Sequence, residues 1–406
     1  MLRYYIDLLD ATDAPVGLGP VTTATNITIT KRLDRAGTIS FDVPSTEPQL
    51  SYLIPRTKVI IWHLDGINDA QEMTRGVIDR VEPIIGNDGI TWRISGDDIL
   101  RVLTWTSPGF INLQSAGSPI SEATALSMLQ SYMSGWTFTA AGTPTNDNVY
   151  YVTTGESILT LLGKVAEQTN DHFYNPLNSA TTIKFISTFV DSGVRAISPG
   201  LRSVPETGIC FITDLQEIRD SYDLITRIYP YGERTNPGTL PATYITLLNC
   251  NRSVPSGYTI NQSANWIKND NAETTYGTVV RYVQYSEIKA LSGGAPDQQS
   301  ASNALYDLAI RELRERDHIN YTYQISLVGC SDLLYPGTTI RIVYRRVING
   351  VVVMDIDDDF NILEVTTRLL PNQAAQTVAL QISTAYRPPF SERDWVVNSE
   401  KNRQLK

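Results

Sequence analysis

The stretch Met73–Leu103 reads MTRGVIDRVEPIIGNDGITWRISGDDILRVL and carries the pattern of a β-hairpin. Val77–Val81 predicts its first strand. Three turn-forming residues follow: Asn87, Asp88 and Gly89. Apolar residues then alternate with polar ones, which is the period of a half-buried strand: Ile90, Trp92 and Ile94.

A short helix is expected directly after this hairpin. Gly96 is expected to end the second strand. Asp97 or Asp98 can cap the helix, because a carboxylate accepts hydrogen bonds from the unpaired amides of the first turn. Three apolar residues follow at helical spacing: Ile99, Leu100 and Leu103. The stretch therefore predicts a compact unit, a hairpin that runs into a capped helix.

Most of this pattern recurs near the other end of the chain, in three segments. Ile39, Phe41 and Val43 align with Tyr323, Ile325 and Leu327 at an offset of 284. Pro55, Val59 and Ile61 align with Pro336, Ile340 and Ile342 at an offset of 281. Val77, Arg80, Pro83, Ile90, Trp92 and Ile94 align with Val365, Arg368, Pro371, Val378, Leu380 and Ile382 at an offset of 288. Loop changes account for such small shifts, and the chain is predicted to hold two similar small β-barrels.

Composition limits the functional classes. The 406 residues suffice for several domains, and an apolar content of 42% allows sizeable cores. The 33 basic and 43 acidic residues give a net charge of −10, which argues against a protein that grips nucleic acid along a basic face. DNA could still pass an acidic wall without being held.

The cysteines and the N-terminus suggest synthesis in a cytosol. Cys210, Cys250 and Cys330 are far apart and form no CxxC pair, so they are interpreted as reduced, buried thiols. The first residues have no secretory pattern, and no apolar run approaches the length that spans a bilayer.

The fold class predicted is mainly β with α+β inserts. The first β-barrel covers 1–105, and an α+β insert covers 106–205. The second barrel combines 206–232 with 318–390, around a loop-rich insert with a helix at 233–317. Residues 391–406 are expected to be a polar C-terminal extension, outside the core, that docks on a neighbouring chain.

Three helices are predicted within the inserts. Ser118-Pro119 can start the first, whose apolar stripe comprises Ala125, Met128, Leu129, Tyr132 and Met133. Thr153 and Glu156 have the spacing of a capping box for the second. The third covers Ala301–Arg316. In the last β segment, Asn349-Gly350 predicts a tight hairpin turn.

No catalytic residue, cofactor or metal site is predicted. His63, His172 and His318 lie near no cysteine or carboxylate at ligand spacing. Three aspartates in MDIDDDF have the spacing of a calcium loop: Asp355, Asp357 and Asp359. However, Phe360 and Thr366 occupy the positions where that loop needs glycine and glutamate, so an acidic hairpin tip is the better interpretation. A pair of carboxylates for glycoside hydrolysis remains an alternative, since the distance between two carboxylates depends on the fold and not on their spacing in sequence.

The order of several segments resembles a phage tail hub protein of the gp27-like class. The segments are TRGVIDRVEP, ITWRISGDDILRVL, GESILTLLGKVAEQT, DLITRIYPYGE, ALYDLAIRELRER and LLYPGTTIRIVY. The resemblance extends to about Arg387. Similar domains form the N-terminal hub part of siphophage tail-associated proteins, contractile baseplate hubs and the base of type VI secretion spikes.

The resemblance implies a homotrimer with two tube-like barrels per subunit, at the tip of a phage tail assembled in the host cytoplasm. It implies a distal tail protein, a tape measure protein and tail fibre or spike proteins as partners, with DNA only in transit and no stable membrane association. Because the sequence stops at Lys406, without the lytic or fibre domains of longer members, a lytic role is not expected. The alternatives are a peptidoglycan- or glycan-degrading hydrolase and a carbohydrate-binding module.

Overall fold

The computed structural model describes most of the chain. The described residues are 4–64, 70–86, 89–115, 118–141, 149, 151–152, 155–169, 171–176, 181–198, 208–221, 223–236, 241–286, 288–290, 295–330, 334–369 and 376–383. They form four packed units, each with its own apolar core. The mainly β fold class with α+β inserts is confirmed.

The first β unit is a six-stranded antiparallel sheet in the order β1-β4-β5-β6-β3-β2. Alternating apolar residues face its core, among them Ile39, Phe41 and Val43. Its strands are β1 (Tyr4–Leu9), β2 (Thr25–Arg32), β3 (Thr38–Pro44), β4 (Lys58–His63), β5 (Gln71–Gly86) and β6 (Gly89–Asp98).

The first insert packs two helices against short strands. Its core takes in Ile99, Leu100 and Leu103 from the end of the hairpin stretch, so that stretch connects two cores. The elements are β7 (Asn112–Ser115), β8 (Ser118–Pro119), α1 (Glu122–Gln130), β9 (Thr137–Thr139), β10 (Tyr151–Val152), α2 (Ile158–Thr169), β11 (His172–Tyr174) and β12 (Thr182–Ile186).

The second β unit is a closed ring of six strands from two parts of the chain. It begins with β13 (Val190–Ile197) and β14 (Ile209–Asp220), which run parallel. After the second insert come β19 (Asn320–Val328), β20 (Thr338–Ile348), β21 (Val351–Leu369) and β22 (Gln376–Ser383). The ring order is β13-β20-β21-β22-β19-β14, with β14 pairing back to β13.

The second insert interrupts this ring. Its elements are β15 (Arg227–Tyr231), β16 (Tyr258–Asn261), β17 (Trp266–Asn269), α3 (Asp270–Tyr276), β18 (Val280–Gln284) and α4 (Ala295–Arg316). The strands pair in the order β16-β17-β15-β18, and α4 packs on them.

Two strands lie outside the units that the sequence predicted for them. Val190–Ile197 falls within the range 106–205 but pairs into the second β unit. Arg227–Tyr231 falls within 206–232 but pairs with β17 and β18 of the second insert, whose core contains Ile228.

The two β units share the order and register of their hydrogen-bonded ladders over five strands. The turns before β4 and β20 match closely: Arg56 and Gly337 both have positive φ, and their amides donate to Ile78 O at 2.7 Å and Ile362 O at 3.1 Å. Directly after Ile78 and Ile362 both ladders shift register, as at a β-bulge.

These ladders correct one predicted alignment. The offsets of 284 for β3 with β19 and 281 for β4 with β20 agree with the pairing. For the hairpin strands the predicted offset of 288 is wrong: β5 corresponds to β21 at 284, and β6 to β22 at 286. Alternating strands match at any even shift, so the apolar pattern alone did not fix the register.

Gly96 does not end its strand, because β6 continues to Asp98. Instead it lies opposite the bulge of β5, where a Cβ on residue 96 would be 1.9 Å from Val77 O. The cap is confirmed at Asp98, whose side chain accepts from Leu100 N at 3.1 Å. The helix it starts, Ile99–Thr104, is 3₁₀.

The predicted helices exist, with different starts. Ser118-Pro119 forms a two-residue strand, and α1 begins at Glu122 after the cap Ser121. The second helix begins at Ile158, where Ser157 Oγ accepts from Thr160 N at 3.3 Å. Its predicted capping residue Thr153 lies outside the described residues. The third helix starts earlier than predicted, at Ala295.

Two of the three cysteines are not the reduced thiols predicted. Cys210 on β14 forms a disulfide with Cys330, which follows β19. The two strands are hydrogen-bonded neighbours, so residues 120 apart in sequence meet there. Cys250 is the remaining thiol and is buried.

Several predicted features fall outside the described residues. They are the turn residues Asn87 and Asp88, Pro371, the break at Arg387-Pro388-Pro389 and the extension 391–406. The hairpin around the first of these is present, since Gly86 pairs with Gly89.

Candidate functional site

The β20–β21 hairpin extends away from the second β unit. The predicted turn at Asn349-Gly350 is confirmed, with both residues at positive φ and Ile348 paired with Val351. Apolar residues at its tip are exposed: Val347, Ile348, Val351, Val352 and Val353. Contiguous exposed apolar surface of this kind marks interaction sites.

The aspartates of MDIDDDF lie on a strand of this hairpin. Asp355, Asp357 and Asp359 alternate along β21, so their side chains lie on one face. Arginines of β20 lie opposite: Arg341 is 2.9 Å from Asp357 and 3.5 Å from Asp359, and Arg345 is 3.8 Å from Asp355. Cross-strand ion pairs therefore offset the acidic run, and no group of three ligating side chains that could hold a metal occurs in the described part of the chain.

A junction between the two β units lies at β2 and β21. They pair antiparallel from Ile27 opposite Leu369 to Arg32 opposite Glu364. Arg32 Nε lies 2.6 Å from Glu364 Oε2. No sequence pattern indicates this contact, because Arg32 and Glu364 are 332 residues apart and such pairs give no local signal.

The first insert is fixed to the first β unit by buried hydrogen bonds of Asp34. Asp34 Oδ2 lies 2.5 Å from His172 Nδ1, and Asp34 Oδ1 accepts from Phe173 N at 2.8 Å. The side chains of Asp34 and His172 are both almost fully buried. His172 thus has a structural partner that its sequence neighbourhood did not reveal.

Asp317 lies in the connection from α4 to β19 and binds residues of the second insert. This carboxylate accepts from Tyr258 Oη at 2.5 Å and Asn269 Nδ2 at 2.6 Å, and it lies 2.9 Å from His318 Nδ1. Burial alone would raise the pKa of Asp317, but these hydrogen bonds lower it. The bond to Asp317 raises the pKa of His318 above its usual 6.5, and burial together with the Asp317 carboxylate raises that of Tyr258 to about 12.

We expect His318→Gln to change how stability depends on pH. Because the folded pKa of His318 is raised, its contribution is fully present below pH 6.5 and is lost as the pH rises through the folded value. The difference in melting temperature between the original chain and the variant should therefore be largest below pH 6.5 and should shrink as the pH rises through the folded pKa of His318. A difference that is constant over this range would contradict the prediction.

The tryptophans of the first β unit have structural contacts. Trp62 donates to Asp7 at 2.8 Å and stacks on Tyr5, with ring centroids 6.0 Å apart. Trp92 packs against the core, and Trp105 lies under the guanidinium of Arg56. These contacts agree with a core or interface role.

Comparison with known proteins identifies the fold. No protein-family model and no curated protein sequence matches the chain. Three solved structures are similar over nearly the whole chain. A tail protein from Neisseria meningitidis MC58 has 13% identity and a TM-score of 0.52, covering 94% of this chain and 96% of its own. Prophage tail protein gp18 from Listeria monocytogenes EGD-e has 13% identity and a TM-score of 0.53, covering 98% and 99%.

The 43 kDa tail protein of prophage MuSo2 from Shewanella oneidensis has 12% identity and a TM-score of 0.55, covering 95% of this chain and 98% of its own. The predicted resemblance is thereby confirmed at the level of fold. Within the described part of the chain, no helix is long and apolar enough to cross a membrane.

Proposed function

We propose that the chain is a non-enzymatic structural hub protein of a phage tail tip. Three copies form a ring that closes or continues the tail tube, attaches fibres or spikes and lets DNA pass. The observation that carries the proposal is the pair of β units with matching ladders, in a chain that has the fold of phage tail proteins. Three copies present six similar β units, which adapts a sixfold tube to a threefold tip.

The partners follow from the place of such a ring. A distal tail protein and the tape measure protein would contact it from the tube side, and fibre or spike proteins from the other. The apolar tip of the β20–β21 hairpin is a surface for one of these contacts. The ring would be assembled in the host cytoplasm and retained in the virion.

DNA in transit requires a channel wall that does not hold phosphates. The net charge of −10 supports such a wall. Asp355, Asp357 and Asp359 contribute less to it than their number suggests, because Arg341 and Arg345 pair with them. The surfaces that face the ring axis are expected to carry more acidic than basic side chains.

Two measurements test the proposed function. Native mass spectrometry at high protein concentration should give a trimer, and a particle reconstruction should place three copies at the tail tip. Six copies or one copy per tip would overturn the proposal. A zymogram on purified peptidoglycan tests the hydrolase alternative, and clearing by the isolated protein would favour that alternative.

A further inference from the structure

The junction between the β units has a specific geometry on β21. Up to Asn361, one edge of β21 pairs with β20. The other edge of β21 pairs with β22 over Asn361–Arg368. From Glu364 to Leu369, β2 therefore pairs with the edge of β21 that β20 occupies earlier in the strand. Leu369 thereby enters the core of the first β unit and is only 1% exposed.

The matching ladders assign an equivalent to each strand of this junction. β5 corresponds to β21 at an offset of 284, so Arg80–Ile85 correspond to Glu364–Leu369. β2 pairs with β3 in the same register in which β14 pairs with β19. β2 therefore corresponds to β14 at an offset of 188. Residues 215–220 of β14 therefore correspond to Ile27–Arg32 of β2.

These two equivalent edges have no strand partner among the described residues. β5 leaves β4 after Val77, and β14 leaves β13 after Phe211. Ile85 is 79% exposed where its equivalent Leu369 is 1% exposed, and Ile84 beside it is 40% exposed. An exposed edge with apolar side chains is a template for pairing with another chain.

We propose that β5 of one copy pairs with β14 of the next copy and repeats the β2–β21 junction between subunits. The strands run antiparallel, from Ile85 opposite Leu215 to Arg80 opposite Asp220. Ile85 then packs against the core of the neighbouring second β unit, as Leu369 packs against the first. Leu215 already borders that core.

The symmetry of a ring agrees with this pairing. Such a contact joins two different surfaces, so it repeats from copy to copy until the rotation closes a ring. Closure after three copies, with six junctions of one kind, rests on the proposed function. The pairing itself rests on the equivalence of the two β units.

Cysteine pairs test the register. Ile84 and Gln216 lie directly opposite each other in the proposed ladder, where Cβ atoms are about 5 Å apart. Ile84→Cys combined with Gln216→Cys should form covalent dimers and trimers under mild oxidation, seen on non-reducing gels. The matched control is Ile84→Cys with Ile218→Cys, which lies two residues further along the same face at about 7–8 Å and should cross-link poorly.

The outcomes separate the two proposals. A trimer by mass in which the shifted pair cross-links as well as the first pair would overturn the inference and leave the proposed ring intact. A chain that is monomeric at all concentrations, with no cross-link, would overturn both. Preferential cross-linking of residues 84 and 216 supports the β5–β14 ladder.

A second variant tests the apolar contact without new cysteines. Ile85→Asp should weaken association at least about tenfold, because a carboxylate would enter an apolar core. Its melting temperature as a monomer should change by less than about 2 °C, since residue 85 is exposed there. Leu18→Asp is the control, as Leu18 lies in the same β unit and is 84% exposed, and it should assemble normally. Equal assembly of the two variants would overturn the inference.

Discussion

Gly96→Ala should lower the free energy of unfolding by at least about 3 kcal/mol. The added Cβ would lie 1.9 Å from Val77 O and 2.9 Å from Val77 C, which are backbone atoms of the paired strand. Relief requires the two strands to separate at the bulge, which breaks ladder hydrogen bonds in the core hairpin of the first β unit. Urea unfolding of the purified variant measures the loss.

The matched control is Gly163→Ala in α2. There a Cβ meets nothing within 4 Å, and φ is not in the left-handed region. Alanine in a helix interior should stabilise the protein by about 0.5–1 kcal/mol. A loss below about 1 kcal/mol for Gly96→Ala would mean that the bulge widens at little cost.

Asp34→Ala should be the second severe substitution, with a loss of about 2–6 kcal/mol, because each of two buried groups left unpaired costs about 1–3 kcal/mol. It removes the partner of His172 and the acceptor for Phe173 N, which leaves a buried imidazole and a buried amide unpaired. Asp34 also has a φ of 60°, which alanine adopts less readily than aspartate does. Urea unfolding of the purified variant, followed by circular dichroism, reports the effect.

Asp13→Ala controls for the backbone part of this effect. Asp13 has a φ of 66° but an exposed side chain, paired with Lys58 at 2.8 Å. Its loss should stay below about 1.5 kcal/mol, since the Asp13 carboxylate is exposed and Lys58 Nζ keeps its hydrogen bond to Ala11 O at 3.1 Å. If both variants lose the same amount, backbone conformation rather than the buried pair explains the result at Asp34.

The sequence predicted strands well wherever apolar residues alternate, as in Tyr323, Ile325 and Leu327 of β19. It did not predict which strands pair. Val190–Ile197 is polar in several positions, and the sequence predicts it as part of the first insert. In the structure this strand lies between β14 and β20. Pairing between strands so far apart in sequence depends on the closure of the ring. A short stretch of sequence carries no information about that closure.

The candidate site was predictable only in part. Asn349-Gly350 located the hairpin, because both residues tolerate positive φ and this turn requires it. The arginines opposite Asp357 were not identified, since the ion pairs depend on the register of β20 with β21. The contact of Asp34 with His172 likewise joins residues 138 apart in sequence.

The 19-residue strand β21 has a consequence for how the molecule opens. Its last residues hold the first β unit through β2, while its earlier residues close the ring of the second. We therefore expect the two units to open together as one cooperative unit, because β21 is part of both. Amide hydrogen exchange in Asn361–Leu369 should accordingly be slowest.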